Sequence, residues 1–471
     1  MAPTDVSKRI SRRALLGGGA ALGLAAVLPR AQPTTPLSVR AVSSAVPASS
    51  FVDSVAVGVH WAYPDTPYGF AYDRVRDALV DLGVRHVRGE PMRAADLHAR
   101  GVQSTVLIDS AMDGSGDPVA QVLSLRGLAR TGAIAAIEGP NEADLFWVSG
   151  HRSYRNMSFP DGAAAWQADL YATVKGDPDL AAIPVIGPSF GHTYWGGGHP
   201  FARGSLERVV DYGNMHPYPR GNPFAPQYAY AGIERYYNDS DFPSTTLDVH
   251  PINMTTYRPP FGARPMMATE TGYSTWRLGV SEYAQGIYVP RLFLEFFRLG
   301  IARTYLYELV DEFIDPQKTN SEANFGLIRR DLTPKPAYYA LQSLLRVLTA
   351  DGSSQPEQLD VECAVTAAPG YDPAAVHHLT FSLGSGRFVV AIWHEVSHND
   401  TSPLDYPVPG PRIELNHPPA VAQLTFSAAP WDVSVRTFRA SGHMRPQGAV
   451  VEGATVRIAA GEKVSLVMVQ M

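Results

Sequence analysis

GAIAAIEGPNEAD, residues Gly132–Asp144, is a short apolar run closed by acidic and turn-forming residues. Ile134–Ile137 reads as a buried parallel strand, and Glu142 stands just beyond its C-terminal end. A second stretch, ARPMMATETGYS (Ala263–Ser274), repeats the arrangement, with Met266–Met267 in the strand and Glu270 at its end. In a barrel of parallel strands, the C-terminal ends form the face on which chemistry is done. Two carboxylates far apart in sequence are thereby expected to meet across one pocket.

The segments around these two continue the pattern. Strands are expected at Ser54–Trp61, Val84–Glu90, Ser104–Asp109, Ile134–Ile137, Ile183–Phe190, Tyr212–Tyr218, Ala263–Glu270 and Ile301–Glu312. Helical spacing of apolar residues intervenes at Tyr72–Leu82, Pro118–Ala129, Asp161–Lys175, Ser281–Leu299 and Pro336–Leu348. Strand-then-helix units repeated through residues 52–348 predict an α/β fold, a (β/α)8 TIM barrel. An open doubly wound sheet is the alternative, but no Gly-x-Gly-x-x-Gly turn marks a switch point. The connection Pro219–Arg264 is long and rich in aromatics, as either a cleft wall or a self-packed excursion.

Beyond residue 351 the texture changes. HHLTFSL (His377–Leu383), GRFVVAIWHE (Gly386–Glu395), AQLTFSA (Ala422–Ala428), WDVSVRTF (Trp431–Phe438) and KVSLVMVQM (Lys463–Met471) are short strand-like runs separated by turns. They predict a C-terminal all-β sandwich over 351–471, after a barrel over 46–350. The sandwich is expected to cover the barrel, with carbohydrate binding as the alternative.

The 471 residues carry 45 acidic and 39 basic side chains, a formal net charge of -6. That balance offers no basic stripe for nucleic acid and no polybasic membrane patch. The single cysteine, Cys363, makes an intrachain disulfide impossible and reads as a small buried hydrophobe. At the start, Lys8, Arg9, Arg12 and Arg13 precede the glycine-diluted apolar stretch Ala14–Leu28. This resembles a twin-arginine export signal, too short to span a bilayer, cleaved after Ala31 or Ala45. Residues 1–45 are therefore assigned to signal and linker, and the mature chain is expected to be secreted or periplasmic.

Two facing carboxyl groups with different proton affinities are what glycosidic cleavage requires. Candidate partners end other strands: Arg88 in HVRGE, His216 and Tyr218 in MHPY, Asn141 beside Glu142, and Asp109 after the third strand. Together these motifs resemble clan A of the glycoside hydrolases, the retaining (β/α)8 group, over about residues 52–348. The resemblance implies Glu142 as acid/base, Glu270 as nucleophile, and Arg88, Asn141, His216 and Tyr218 as their supporting set. FGLIRRDLTPKPAYYAL (Phe325–Leu341) resembles the clan's run into its last helix. The substrate implied is a β-linked oligo- or polysaccharide, with no cofactor and no metal. Trp61, Tyr273, Asp109 and Glu308 complete the expected substrate-binding residues, and Trp147, Trp195 and Trp276 are further candidate sugar platforms. Two departures bear on the sugar. Where many clan members carry a strand-eight tryptophan, this chain reads YELVDE, and strand three ends in Asp109 rather than histidine. A non-catalytic carbohydrate-binding barrel is the rival reading. A metal-dependent hydrolase is the third, for which strand one supplies only His60-Trp61.

Overall fold

The computed structural model describes residues 38–109, 116–191, 199–219, 257–277, 279–349, 357–396, 398–400 and 413–471. The export signal, Trp195 and most of the Pro219–Arg264 connection lie outside them.

Eight parallel strands form the central sheet: β1 Val55–Gly58, β2 His86–Gly89, β3 Gln103–Leu107, β4 Ile134–Glu138, β5 Val185–Ile186, β6 Gly213–Met215, β7 Met266–Thr271 and β8 Thr304–Leu306. Their order is β6-β7-β8-β1-β2-β3-β4-β5. The two ends of the sheet meet, because Ile186 bridges Tyr212 in the parallel sense and the Gly187 N–H donates to the Tyr212 carbonyl at 2.9 Å. The sheet is thus a closed barrel rather than an open doubly wound sheet. Strands are shorter than their apolar runs suggest. Beyond Leu306 the backbone leaves the ladder, with the Leu309 N–H donating to Gly58 and the Glu308 carbonyl accepting from Leu327.

Period-two alternation sorts the strand residues. Val55, Val57 and Val59 join the outer core with Val87, Val106, Met215 and Leu306. Their neighbours face the barrel axis, where Ala136, Ile186 and Met267 make a small separate apolar cluster. In β4 the register shifts opposite Ser104/Thr105, so Ile134 and Ile137 both face outward while Ala136 and Glu138 face inward.

Around the barrel, Tyr72–Leu82 buries Val75, Leu79 and Leu82 and stops at Gly83, whose φ of 89° suits a residue without Cβ. Ser281 caps Glu282–Arg298, its hydroxyl accepting from the Ala284 N–H at 3.0 Å. That helix buries every residue from Ala284 to Phe296, since it is covered on both sides.

The second cover is the β-sandwich. One sheet contains Ser38–Ser44, Asp360–Thr366, Ala420–Thr425, Thr455–Ala460 and Val450–Glu452. The other contains Val46–Pro47, Val376–Gly384, Arg387–His394, Ser465–Gln470, Asp432–Phe438 and Met444–Pro446. Residues 38–45, assigned from the sequence to signal and linker, are therefore a correction. Ser38–Ser44 pairs antiparallel with Asp360–Thr366 in full register. Its side chains are mostly exposed, and only Val39 packs against the sandwich core, so its place comes chiefly from backbone pairing at a sheet edge.

Cys363, Val365, Phe388, Val390, Ile392 and Leu424 belong to the core between the two sheets. Phe381, Val389, Ala391, Trp393 and Leu466 belong instead to the barrel's outer core. The six-stranded sheet is thus buried on both faces, which explains why RFVVAIWH is a continuous apolar run. Phe51 sits at the seam, with ring centroids 5.4 Å from Phe297 and 5.3 Å from Phe381. Elsewhere at the same seam the Arg291 guanidinium, fully buried, donates to Glu395 Oε2 at 2.7 Å and to the Val396 carbonyl at 3.0 Å.

Removing one partner of a buried ion pair leaves the other charge unpaired, which is costly. Arg291→Ala is expected to destabilise the chain by about 3–5 kcal/mol. Replacing Arg291 and Glu395 together with apolar residues is expected to recover most of that loss. Denaturant midpoints of the two variants check this.

Candidate active site

Above the small apolar plug, the inward positions turn polar. Glu138, fully buried at the end of β4, accepts from Arg88 Nε at 2.6 Å and Nη2 at 2.9 Å. It also accepts from Asn214 Nδ2 at 3.0 Å and Thr269 Oγ1 at 2.9 Å. Arg88 extends its remaining donors outward, Nη1 to Glu270 Oε1 at 2.7 Å and Nη2 to Asn141 Oδ1 at 2.7 Å. The guanidinium on β2 thereby ties β4 to β7. It does not pair with Glu90 or Asp109.

Glu270 receives a second hydrogen bond from the Tyr218 hydroxyl, 2.7 Å from Oε2, and lies 3.5 Å from His216 Nδ1. Burial alone would raise its pKa. The charges of His216 and Arg88 and the Tyr218 hydrogen bond outweigh burial and hold it down at about 2. His216 Nδ1 is 2.9 Å from Glu142 Oε1, and its Nε2 is 3.0 Å from Thr269 Oγ1. Burial works against a charged imidazole, but Glu270 and the Glu142 hydrogen bond prevail and raise its pKa. The Thr269 hydroxyl gives its one proton to Glu138 or Asn214, so a lone pair remains for Nε2–H. Both ring nitrogens then donate, which suits the imidazolium.

Glu142 caps the helix Ala143–Ser149 with φ 38° and ψ 53°, a left-handed conformation that side-chain-bearing residues seldom adopt. The Ser189 hydroxyl accepts from its N–H at 2.9 Å, and the Ala143 N–H donates to the Ser189 carbonyl at 3.2 Å. Gly191 passes so close that a Cβ there would lie 3.1 Å from the Glu142 carboxyl carbon and 2.2 Å from Leu145. The turn is fixed from both sides, so the surrounding structure holds the strained backbone in place. A carboxylate oxygen of Glu142, one of Glu270 and a nitrogen of His216 lie within 4.8 Å of one another. Among the described residues Glu142 has only His216 as a side-chain partner, whereas Glu270 is gripped by a cation and a phenol.

The other sequence candidates separate into supports and corrections. Asp109 is buried and accepts from the Asn141 N–H at 3.1 Å, so it positions the Asn-Glu turn. Trp61 is 3% exposed and packs edge-on against Tyr68 and Tyr72 in the outer core, so it offers no sugar platform. Tyr273 is likewise buried, its ring 5.2 Å from Tyr288. Trp147 packs on Trp166, whereas Trp276 is half-buried. Glu308 has no exposed surface; its Oε2 accepts from the Tyr68 hydroxyl at 3.1 Å and lies 3.9 Å from His60 Nε2. Burial and the Glu312 charge push its pKa up, and burial with the Glu90 charge raises Glu312 to about 8. Burial lowers His60 to about 4.

Glu138, Asn214, Thr269, Ser189 and Tyr307 were not expected from the sequence. For Glu138 the signal was available, since counting two from Ala136 along the inward face reaches it. Tyr307 occupies the strand-eight end, its ring 5.3 Å from Phe325, 5.6 Å from His60 and 6.3 Å from Tyr218.

No protein-family model and no curated protein matches this chain. Solved structures do. The family 39 glycoside hydrolase from Xanthomonas axonopodis pv. citri is 15% identical, with a TM-score of 0.54 over 90% of this chain and 95% of that one. A family 39 β-xylosidase from Caulobacter crescentus is 14% identical, with a TM-score of 0.51 over 91% and 98%. The catalytic domain of family 30 xylanase C from Talaromyces cellulolyticus is 12% identical, with a TM-score of 0.50 over 91% and 99%. At these identities the likeness is one of fold, a barrel with an attached β-sandwich.

Glu270 is depressed from 4.5 to about 2, so it contributes stability that is present above pH 4.5 and lost as pH falls towards 2. Tyr218→Phe removes one donor to the carboxylate and is expected to shrink this acid-labile contribution. Unfolding free energies at pH 7 and pH 3 should differ less in the variant than in the unchanged protein.

Proposed function

We propose that this protein is a retaining glycoside hydrolase acting on β-linked oligo- or polysaccharide. The observation that carries the reading is the pair of carboxylates within 4.8 Å, one of them held ionised by Arg88, Tyr218 and His216. Carboxyl groups roughly 5–5.5 Å apart leave no room for an intervening water, which is the retaining geometry. Glu270, kept charged, attacks the anomeric carbon. The bond to the leaving oxygen breaks as that oxygen takes the proton of Glu142. Water then gives a proton to Glu142 and attacks the same carbon, releasing Glu270. Asn141, whose Oδ1 is engaged by Arg88, presents Nδ2 to the sugar 2-hydroxyl, a contact that strengthens in the transition state. Tyr307 takes the floor position for which other barrels use tryptophan.

The structural neighbours named as a β-xylosidase and a xylanase direct the first assays to aryl β-xylosides and xylan, with β-glucosides beside them. Export through the twin-arginine-type segment at Lys8–Ala31 belongs to the same reading, since polysaccharide is met outside the cytoplasm.

Glu142→Gln and Glu270→Gln are each expected to lower kcat/KM by about 10²–10⁴-fold or more. Proton NMR of the first product formed should show retained anomeric configuration. Azide should restore turnover of an activated aryl glycoside in Glu142→Ala and yield the β-glycosyl azide. An inverted product, or full activity in either glutamine variant, removes the mechanism. Binding of oligosaccharide without any cleavage across the panel would favour the non-catalytic barrel.

A further inference from the structure

Three groups of histidine and acid converge closely enough to share an ion: Glu142–His216–Glu270, Glu295–His377–Glu395 and His60–Glu308–Glu312. The first two carry their own cations. Arg88 lies on Glu270, while Arg298 lies on Glu295 and Arg291 on Glu395. In the third, neither carboxylate is paired with an arginine or lysine among the described residues.

The third group is also the one with unused ligand atoms. Glu308 is 0% and Glu312 2% exposed, and their carboxyl groups lie within hydrogen-bond reach of each other. Among the described residues, Oε1 of each, together with His60 Nε2, is buried with no other hydrogen-bond partner. Two carboxylates buried side by side with vacant lone pairs are costly unless something positive or protic lies between them. His60 and Glu308 are set by the rims of adjacent strands β1 and β8, and Glu312 follows four residues later. The His60 imidazole is held by a stack on Tyr63 at 4.9 Å and by the Tyr307 edge at 5.6 Å.

We infer that His60 Nε2, Glu308 and Glu312 form a binding site for one divalent transition cation, Zn²⁺ or Mn²⁺. The donor set is one imidazole and two carboxylates, a mixture suited to these ions rather than to Ca²⁺ or Mg²⁺, which favour oxygen alone. Bonds of about 2.1 Å allow two ligand atoms to stand at most about 4.2 Å apart. His60 Nε2 and Glu308 Oε2, at 3.9 Å, already satisfy that limit. The set as a whole, within 4.8 Å, requires a contraction of at most about 0.6 Å. The imidazole side chain, 19% exposed, supplies the way in. A bound ion would neutralise the acidic wall beside Tyr307 and pin β1 to β8. The site shares no residue with the Glu142–Glu270 pair, although His60 is near enough to Glu270 for their charges to interact, and it does not depend on the hydrolase reading.

The test uses the full chain, stripped with chelator and then titrated with Zn²⁺, Mn²⁺, Ca²⁺ or Mg²⁺ alone by calorimetry, with elemental analysis of the dialysed protein. One equivalent of Zn²⁺ or Mn²⁺ is expected, with a higher melting midpoint in its presence. Glu312→Gln and His60→Gln should each weaken binding by about 100-fold or more, since losing even an outer-shell partner costs 10–100-fold. Glu142→Gln should bind the ion as the unchanged protein does. His60 is partly exposed, so its variant reports on the site even if the buried glutamate variants fail to fold. No bound ion and no heat with any of the four cations overturns the inference. So does binding that survives His60→Gln, or binding that is lost in Glu142→Gln.

Discussion

The Arg88 guanidinium is the contact on which the rest of the site depends. It lies between a fully buried carboxylate, Glu138, and a nearly buried one, Glu270, and it also holds Asn141. Each acid alone would be too costly to keep ionised at that depth. With one cation shared between them, and His216 charged beside them, the polar layer approaches neutrality. The same bidentate contact fixes the guanidinium plane, so its outward nitrogens have only one direction in which to point. Glu138 therefore acts as an anchor that aims Arg88 at Glu270, and the Glu142–Glu270 end of the barrel inherits its geometry from a residue with no exposed surface.

How far the sequence revealed this differs from residue to residue. Glu142 and Glu270 were legible because each closes an apolar run, and a run of that kind has one direction in a parallel barrel. The barrel followed from repetition of the unit. Glu138 was overlooked although it lies in the same run, because a charged residue within a strand is ordinarily assigned to its end. Asn214 and Thr269 gave less signal, being small polar residues whose importance comes from cross-strand register. Trp61 and Tyr273 failed for the opposite reason. Proximity to a strand end does not tell which side of the barrel wall a ring occupies, and parity places Val59 and Trp61 on the outer side. The strand Ser38–Ser44 gave only a weak hydrophobic signal, since its partner supplies the backbone pairing and, apart from Val39 and Ser43, its side chains are exposed.

The acidic groups around the barrel mouth and at the sandwich seam show three ways of handling buried charge. Glu270 has arginine, tyrosine and histidine around it. Glu395 has Arg291 and the indole N–H of Trp393. Glu308 and Glu312 have tyrosine, histidine and each other. Coulombic attraction strengthens where water is excluded, so the first two arrangements lock chain segments together. The third cannot do so with the side chains present.

The polypeptide enters the sandwich before it enters the barrel, and returns to it afterwards. Ser38–Ser44 and Val46–Pro47 each take a place in one of the two sheets, yet most of their partners lie more than three hundred residues downstream. Topologically, the barrel is an insertion within an all-β domain. During synthesis these strands must wait, unpaired, until Asp360–Thr366 and Val376–Gly384 have been made. The helix Glu282–Arg298 and its neighbour Pro336–Thr349 would meanwhile expose the apolar faces that the six-stranded sheet later covers. The sandwich can therefore be completed only after Ser465–Gln470 has been made, and a product terminated before that strand would display a broad sticky surface to quality-control proteases.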